Sequence, residues 1–277
     1  MKKTLLFATL LVSSFIVSAQ QDLYNYENSR RFGEYLLKSG QFELATKEYE
    51  RLVFLNSSND TLKLNLLKAY RLNEKFETGI LRAQQLYPAT ENLPFSHSIE
   101  YSKLLMNDRQ WTTANAFWDK SENMLKDDRQ LFKTSASIFN TDFKTAKSYL
   151  RLIDDSTNVL AVNYNRIVDE GLYGKSKSPF LAGALSTVIP GLGRVYTGDW
   201  KDGLVSLIFT AGMAFQSYRG FNKDGIKSTR GWIYGGVGAG FYLGNIYGSV
   251  KSAKNKNKKK TNLLQHEAST LFNAYYN

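Results

Sequence analysis

An aromatic residue followed three positions later by a small one recurs four times in this chain, at Phe42–Ala45, Phe76–Gly79, Trp111–Ala114 and Phe143–Ala146. The aromatic residues lie 34, 35 and 32 positions apart. Each follows a polar turn, and the spacing predicts that each opens a helix. Two helices whose axes approach to about 8–10 Å leave no room for a large side chain where they cross, so one of them needs a small residue there. The aromatic residue one turn earlier fills the gap beside the crossing. Seven residues after the aromatic stand Tyr49, Ala83, Trp118 and Leu150, a less regular apolar position. A period of this length confines residues 26–172 to stacked helical hairpins, and the chain is expected to be all-α.

The period and its marks resemble the tetratricopeptide repeat, a helix–turn–helix unit of about 34 residues. The units read as 26–57, 59–88, 93–125 and 127–154, with 157–172 as a capping helix. Pro88 and Pro94 separate the second unit from the third, where a helix should begin. Most units lack the full Trp-Leu-Gly-Tyr set, and generic helical hairpins are the alternative. The resemblance implies a solenoid with a groove lined by the first helix of each unit. Arg30, Glu34, Lys68, Arg71 and Lys103 would face that groove and hold a protein partner. They do not reproduce the two-Lys, two-Asn clamp that some domains of this kind use for peptide carboxylates.

Composition excludes much chemistry. The 277 residues include no cysteine and two histidines, which removes disulfides, thiolate metal sites and a cysteine nucleophile. No catalytic, metal-binding or cofactor-binding residues are assigned. Glu48, Glu50, Asp127 and Asp128 read as helix surface or turn, and neither they nor Asp199 and Asp202 have a nucleophile or metal partner in the sequence. The net charge of +11 is not evenly spread. Residues 175–277 carry 14 basic and 4 acidic residues, and Lys251, Lys254, Lys256, Lys258, Lys259 and Lys260 form a cluster. Such a cluster suits nucleic acid or the flank of a membrane span. The apolar runs before it favour the second, so nucleic acid is not expected as a partner.

At the N-terminus, Lys2 and Lys3 precede an uncharged apolar stretch, with Val17 and Ala19 at the −3 and −1 positions of a cleavage site. Residues 1–19 therefore read as a secretory signal peptide.

Three uncharged runs follow the repeats, 178–193, 203–218 and 231–250, of 16, 16 and 20 residues. The third is long enough to cross a hydrocarbon core of about 30 Å; the first two would need a thinned bilayer or a re-entrant path. Gly236, Gly240, Gly244 and Gly248 fall on every fourth residue of the third run. Small residues at that interval let membrane helices approach closely, so this strip is expected to pack against the second run or against a second copy. Between the first two runs, Pro190, Gly191, Gly193, Tyr196, Gly198 and Gly203 form the skeleton P-G-x-G-R-x-Y-x-G-x-x-x-x-G. It resembles the turn of TM2-type membrane hairpins and of related uncharacterised bacterial modules. The resemblance implies a membrane module over 175–250, a hairpin or three helices. The Lys-rich tail, 251–277, would then end in a short amphipathic helix on the bilayer surface.

These readings combine into an expectation of function. The chain would be a membrane-anchored, exported helical-repeat scaffold for protein–protein interaction in a bacterial cell envelope. It would sit in the inner membrane with its repeats in the periplasm, and the bilayer and a protein partner or its own copies would be its contacts. The alternative is a homo-oligomeric membrane pore or channel component whose repeats assemble it.

Overall fold

The structure is a computed structural model that describes residues 25–276. Those residues are mostly helical, with no strand among them. The signal-peptide reading falls on residues 1–19, outside the described residues. The chain divides into two compact units, up to Ala136 and from Ser137 onward.

The first unit begins with α1 (Tyr26–Lys38), α2 (Phe42–Leu55), α3 (Asp60–Leu72) and α4 (Phe76–Leu86). A short 3-10 turn, Thr90–Asn92, leads to α5 (Phe95–Asn107) and α6 (Trp111–Lys120), and then to α7 (Lys126–Phe139), within which the division falls. Asn25 caps α1 by accepting from the Asn28 amide at 2.8 Å, and Asn59 caps α3 from the Leu62 amide at 3.2 Å. These caps occupy donors that the first helical turn leaves without partners.

One turn geometry recurs. Gly40, Glu74, Arg109 and Thr141 have φ of 75°, 55°, 56° and 62°, and each stands two residues before one of the four periodic aromatics. The amide after each donates back five residues: Gln41 to the Leu36 carbonyl at 2.9 Å, Lys75 to Tyr70 at 3.0 Å, Gln110 to Leu105 at 3.0 Å and Asp142 to Ser137 at 2.8 Å. This is the Schellman closure of a helix, with a left-handed residue just past the helix end. The same backbone device thus ends α1, α3, α5 and α7.

Phe42, Phe76, Trp111 and Phe143 are each the first residue of a helix. Ala45, Gly79, Ala114 and Ala146 are all buried. A Cβ on Gly79 would stand 2.9 Å from the Tyr70 Cβ and 3.0 Å from a Leu104 methyl, so α4 meets α3 and α5 at backbone distance there. Around these crossings Leu36, Tyr49, Leu52, Leu62 and Leu66 form one cluster. Trp118 is fully buried on α6 and donates its indole N–H to the Ser102 hydroxyl at 2.8 Å.

The second unit contains α8 (Phe143–Leu150), α9 (Val159–Tyr173), α10 (Pro179–Val188), α11 (Leu192–Thr197), α12 (Trp200–Asp224) and the 48-residue α13 (Thr229–Tyr276). Helix α13 is the spine of this unit: α9, α10, α11 and α12 all pack on it. Its last turns carry Leu264, Ala268 and Phe272 into the core. There Asn158 donates to the Tyr275 hydroxyl at 2.9 Å and Lys260 pairs with Glu170 at 2.7 Å. The segment after the Lys cluster is therefore the continuation of one long helix docked on protein. It is not a separate surface helix, because its apolar stripe is covered by α9.

The membrane reading does not survive. Among the described residues no helix is long and apolar enough to cross a membrane. The first uncharged run is split: α10 ends at Val188, the chain turns through Gly191 at φ 92°, and α11 has six residues. The second and third runs lie in long helices, but glycine, serine, threonine and amide residues dilute their apolar character. Absence of charge is not by itself hydropathy. The inner-membrane assignment with repeats in the periplasm, the transmembrane helices, the membrane anchor and the pore alternative built on them are withdrawn with those runs.

Candidate functional site

In the first unit the charged residues expected along the groove fall into two groups. On α1, Arg30 pairs with Glu27 at 2.9 Å and also with Glu34, so these charges are compensated within one helix. Beside them the Tyr49 hydroxyl, buried and close to Glu34, is pushed up to about 12; Asn65 donates to it at 3.4 Å.

The second group converges. Arg71 on α3 donates its Nε to Glu100 on α5 at 2.7 Å, and Lys103 donates its Nζ to the other Glu100 oxygen at 3.0 Å. The three side chains keep only 12%, 10% and 4% of their exposure. Burial alone would raise the Glu100 carboxyl, but the Arg71 guanidinium and the Lys103 ammonium hold it below the ordinary carboxylate value. Burial pushes Lys103 below its ordinary value; Glu100 opposes that shift, and the charges of Arg71 and of nearby Lys68 add to it. Lys68 itself is exposed. Two cations thus bond one buried carboxylate, and Lys68 adds an exposed cation on α3 beside them. Clustered cations in a partly desolvated place attract carboxylates.

Glu100 was not among the residues singled out from sequence. The signal was present: α5, FSHSIEYSKLLMN, has Glu100 as its only acid, and Lys103 stands three residues on, the spacing of facing helix neighbours. A second network was also unforeseen. Arg82 on α4 and Tyr70 on α3 both donate to Glu50 on α2, at 2.8 and 2.7 Å, and tie two successive hairpins together.

In the second unit the turn motif is a set of close backbone approaches. A Cβ on Gly191 would collide with the Gly203 carbonyl, and one on Gly193 with the Ala182 carbonyl. Gly198 ends α11 at φ 95°. The Tyr196 hydroxyl accepts from the Ser178 amide at 3.1 Å while Lys177 lies 4.6 Å from the centre of its ring. Pro190 lies between Ile189, whose amide closes α10, and Gly191. Asp202 receives Arg194 at 3.1 Å, and Asp199 receives Ser252.

The glycine strip is not where this chain packs on itself. A Cβ on Gly236, Gly240 or Gly244 would meet nothing within 4 Å, and one on Gly248 would meet the Arg194 guanidinium. Helix α12 instead approaches Gly231, Gly235 and Gly238, through Phe221, Ser217 and Met213. The interval of four leaves Gly236, Gly240 and Gly244 bare, and α12 occupies the neighbouring face.

No protein-family model matches this chain, and the searches of curated proteins and of solved structures find nothing similar to it.

Proposed function

We propose that the first unit is a tetratricopeptide-like solenoid segment that holds an acidic segment of a protein partner against its first helices. The observation that carries this reading is the pairing of Arg71 and Lys103 with the buried carboxylate of Glu100, with the exposed Lys68 close enough to push Lys103 down. The fourfold Schellman turn supports the repeat, since it returns at the period of the aromatic–small pairs. Lys68 is the exposed contact; Arg71 and Lys103, already bonded to Glu100, position the charge behind it. The reading is of a binding protein, with self-association through the same helices as the second form it could take.

Calorimetric titration of the full chain with paired peptides of equal length tests it, one rich in Asp and Glu and one rich in Lys. Saturable binding of the acidic peptide alone is expected. Equal binding of both, or of neither, contradicts it. Sedimentation of the chain by itself separates the self-association form.

A further inference from the structure

The second unit contains a cavity of about 630 Å³ between α12 and α13, close to the α11 end. Its size lies within the range of small-molecule sites. One wall is apolar: Phe209 and Phe241 stack with ring centres 5.7 Å apart at 27°. The floor is bare helix backbone at Gly240 and Gly244, where a side chain would meet nothing but the cavity itself.

The polar end is unusual. Asn245 lines the cavity, is only 4% exposed, and neither its Oδ1 nor its Nδ2 has a hydrogen-bond partner. Arg194 and Thr210 line the same cavity, and the Arg194 Nε and the Thr210 hydroxyl are also buried without a partner. The other end of the Arg194 guanidinium is held by Asp202 at 3.1 Å. Buried polar atoms are almost always bonded, and leaving them unmade is costly. Four such atoms around one cavity describe the ligand that would satisfy them.

We propose that this cavity binds a planar ring carrying a lactam edge, an N–H and a C=O side by side, as in the oxo-pyrimidines and oxo-purines. The carboxamide of Asn245 offers one acceptor and two donors. A carboxylate could use the donors but would face the Oδ1 with another acceptor. A single trans peptide unit points its N–H and C=O in opposite directions and cannot pair with one carboxamide twice. A ring lactam holds both on one edge and pairs with the amide in the two-bond manner by which asparagine reads a base edge. Arg194 Nε then donates to a further ring acceptor. The ring lies over the glycine backbone with a face against the Phe209–Phe241 wall, where no Cβ intervenes.

The test uses the full chain and a panel of uracil, thymine and hypoxanthine, each beside the counterpart methylated at every lactam nitrogen (both N1 and N3 in the pyrimidines). Ligand-observed NMR and thermal shift read binding. At least one parent ring is expected to bind saturably, tenfold or more tighter than its methylated form. Gly244→Leu, whose Cβ meets open space and whose side chain enters the cavity, should abolish binding and leave the melting temperature unchanged or higher. Asn245→Leu should do the same and raise the melting temperature, because it removes the two unbonded polar atoms. Equal binding of parent and methylated rings overturns the proposal, as does no binding by any of them, which would mean that solvent satisfies Asn245. A dimer that Gly244→Leu dissociates also overturns it, since the bare strip would then be covered by a second copy.

Discussion

Arg71 and Glu100 meet at 2.7 Å with both side chains nearly withdrawn from water, and Lys103 closes on the opposite carboxylate oxygen. Removing the shared acid leaves two cations facing each other. Glu100→Gln is expected to cost about 3 kcal/mol, the scale for a buried pair that loses one member. Urea unfolding measures it; a loss below about 1 kcal/mol would mean that water reaches the cluster and screens it.

The pH dependence has a definite sign. His97 is buried against the ring of Tyr87, and its Nε2 lies 3.0 Å from the Asp60 carbonyl. Burial holds its pKa below the ordinary 6.5 despite that hydrogen bond. The unfolded chain therefore takes up the proton first, and stability present above about pH 6.5 is lost as pH falls through the lower folded value. Glu100 is depressed too, so a second loss follows below its ordinary 4.5. Thermal melts from pH 8 to 4 should show a declining midpoint whose first step disappears in His97→Gln.

How much of this could be read from the chain is clearest in α5. Lys103 is marked by its place in the repeat, whereas Glu100, which bonds both Arg71 and Lys103, is marked only as the one acid of α5, three residues before Lys103, a local spacing that does not show it facing α3. Helix starts were legible, since an aromatic residue after a polar turn is a local signal. Glu74, Arg109 and Thr141 hid the recurring turn, because only Gly40 announces a left-handed residue by its type. In the second unit the glycines drew attention from Asn245, the one amide in the third run. Glycine lowers the hydropathy of that run although it carries no charge, so absence of charge alone does not make a membrane span.

The recurring turn makes its own prediction. Thr141 holds φ 62°, a conformation disfavoured for a β-branched residue. Thr141→Gly should stabilise by about 1 kcal/mol, whereas Gly40→Ala should destabilise by about as much. Chemical denaturation of both variants checks the pair; the same sign for both would contradict a shared turn.

Glycines of the second unit should divide by what surrounds them. Gly244→Ala meets open space and removes a poor helix former, so a gain of about 1 kcal/mol is expected. Gly193→Ala drives a methyl group into the Ala182 carbonyl and should destabilise. Melting curves of the two variants tell open floor from packed turn.

The most direct test of the binding account is charge reversal at Lys68, the exposed cation of the cluster. Fluorescence anisotropy would follow a labelled acidic peptide titrated with the native chain and with Lys68→Glu, whose stability should stay within about 0.5 kcal/mol. The account predicts at least tenfold weaker binding by the variant, with a steep salt dependence in the native chain. Unchanged affinity in a folded Lys68→Glu protein would contradict it.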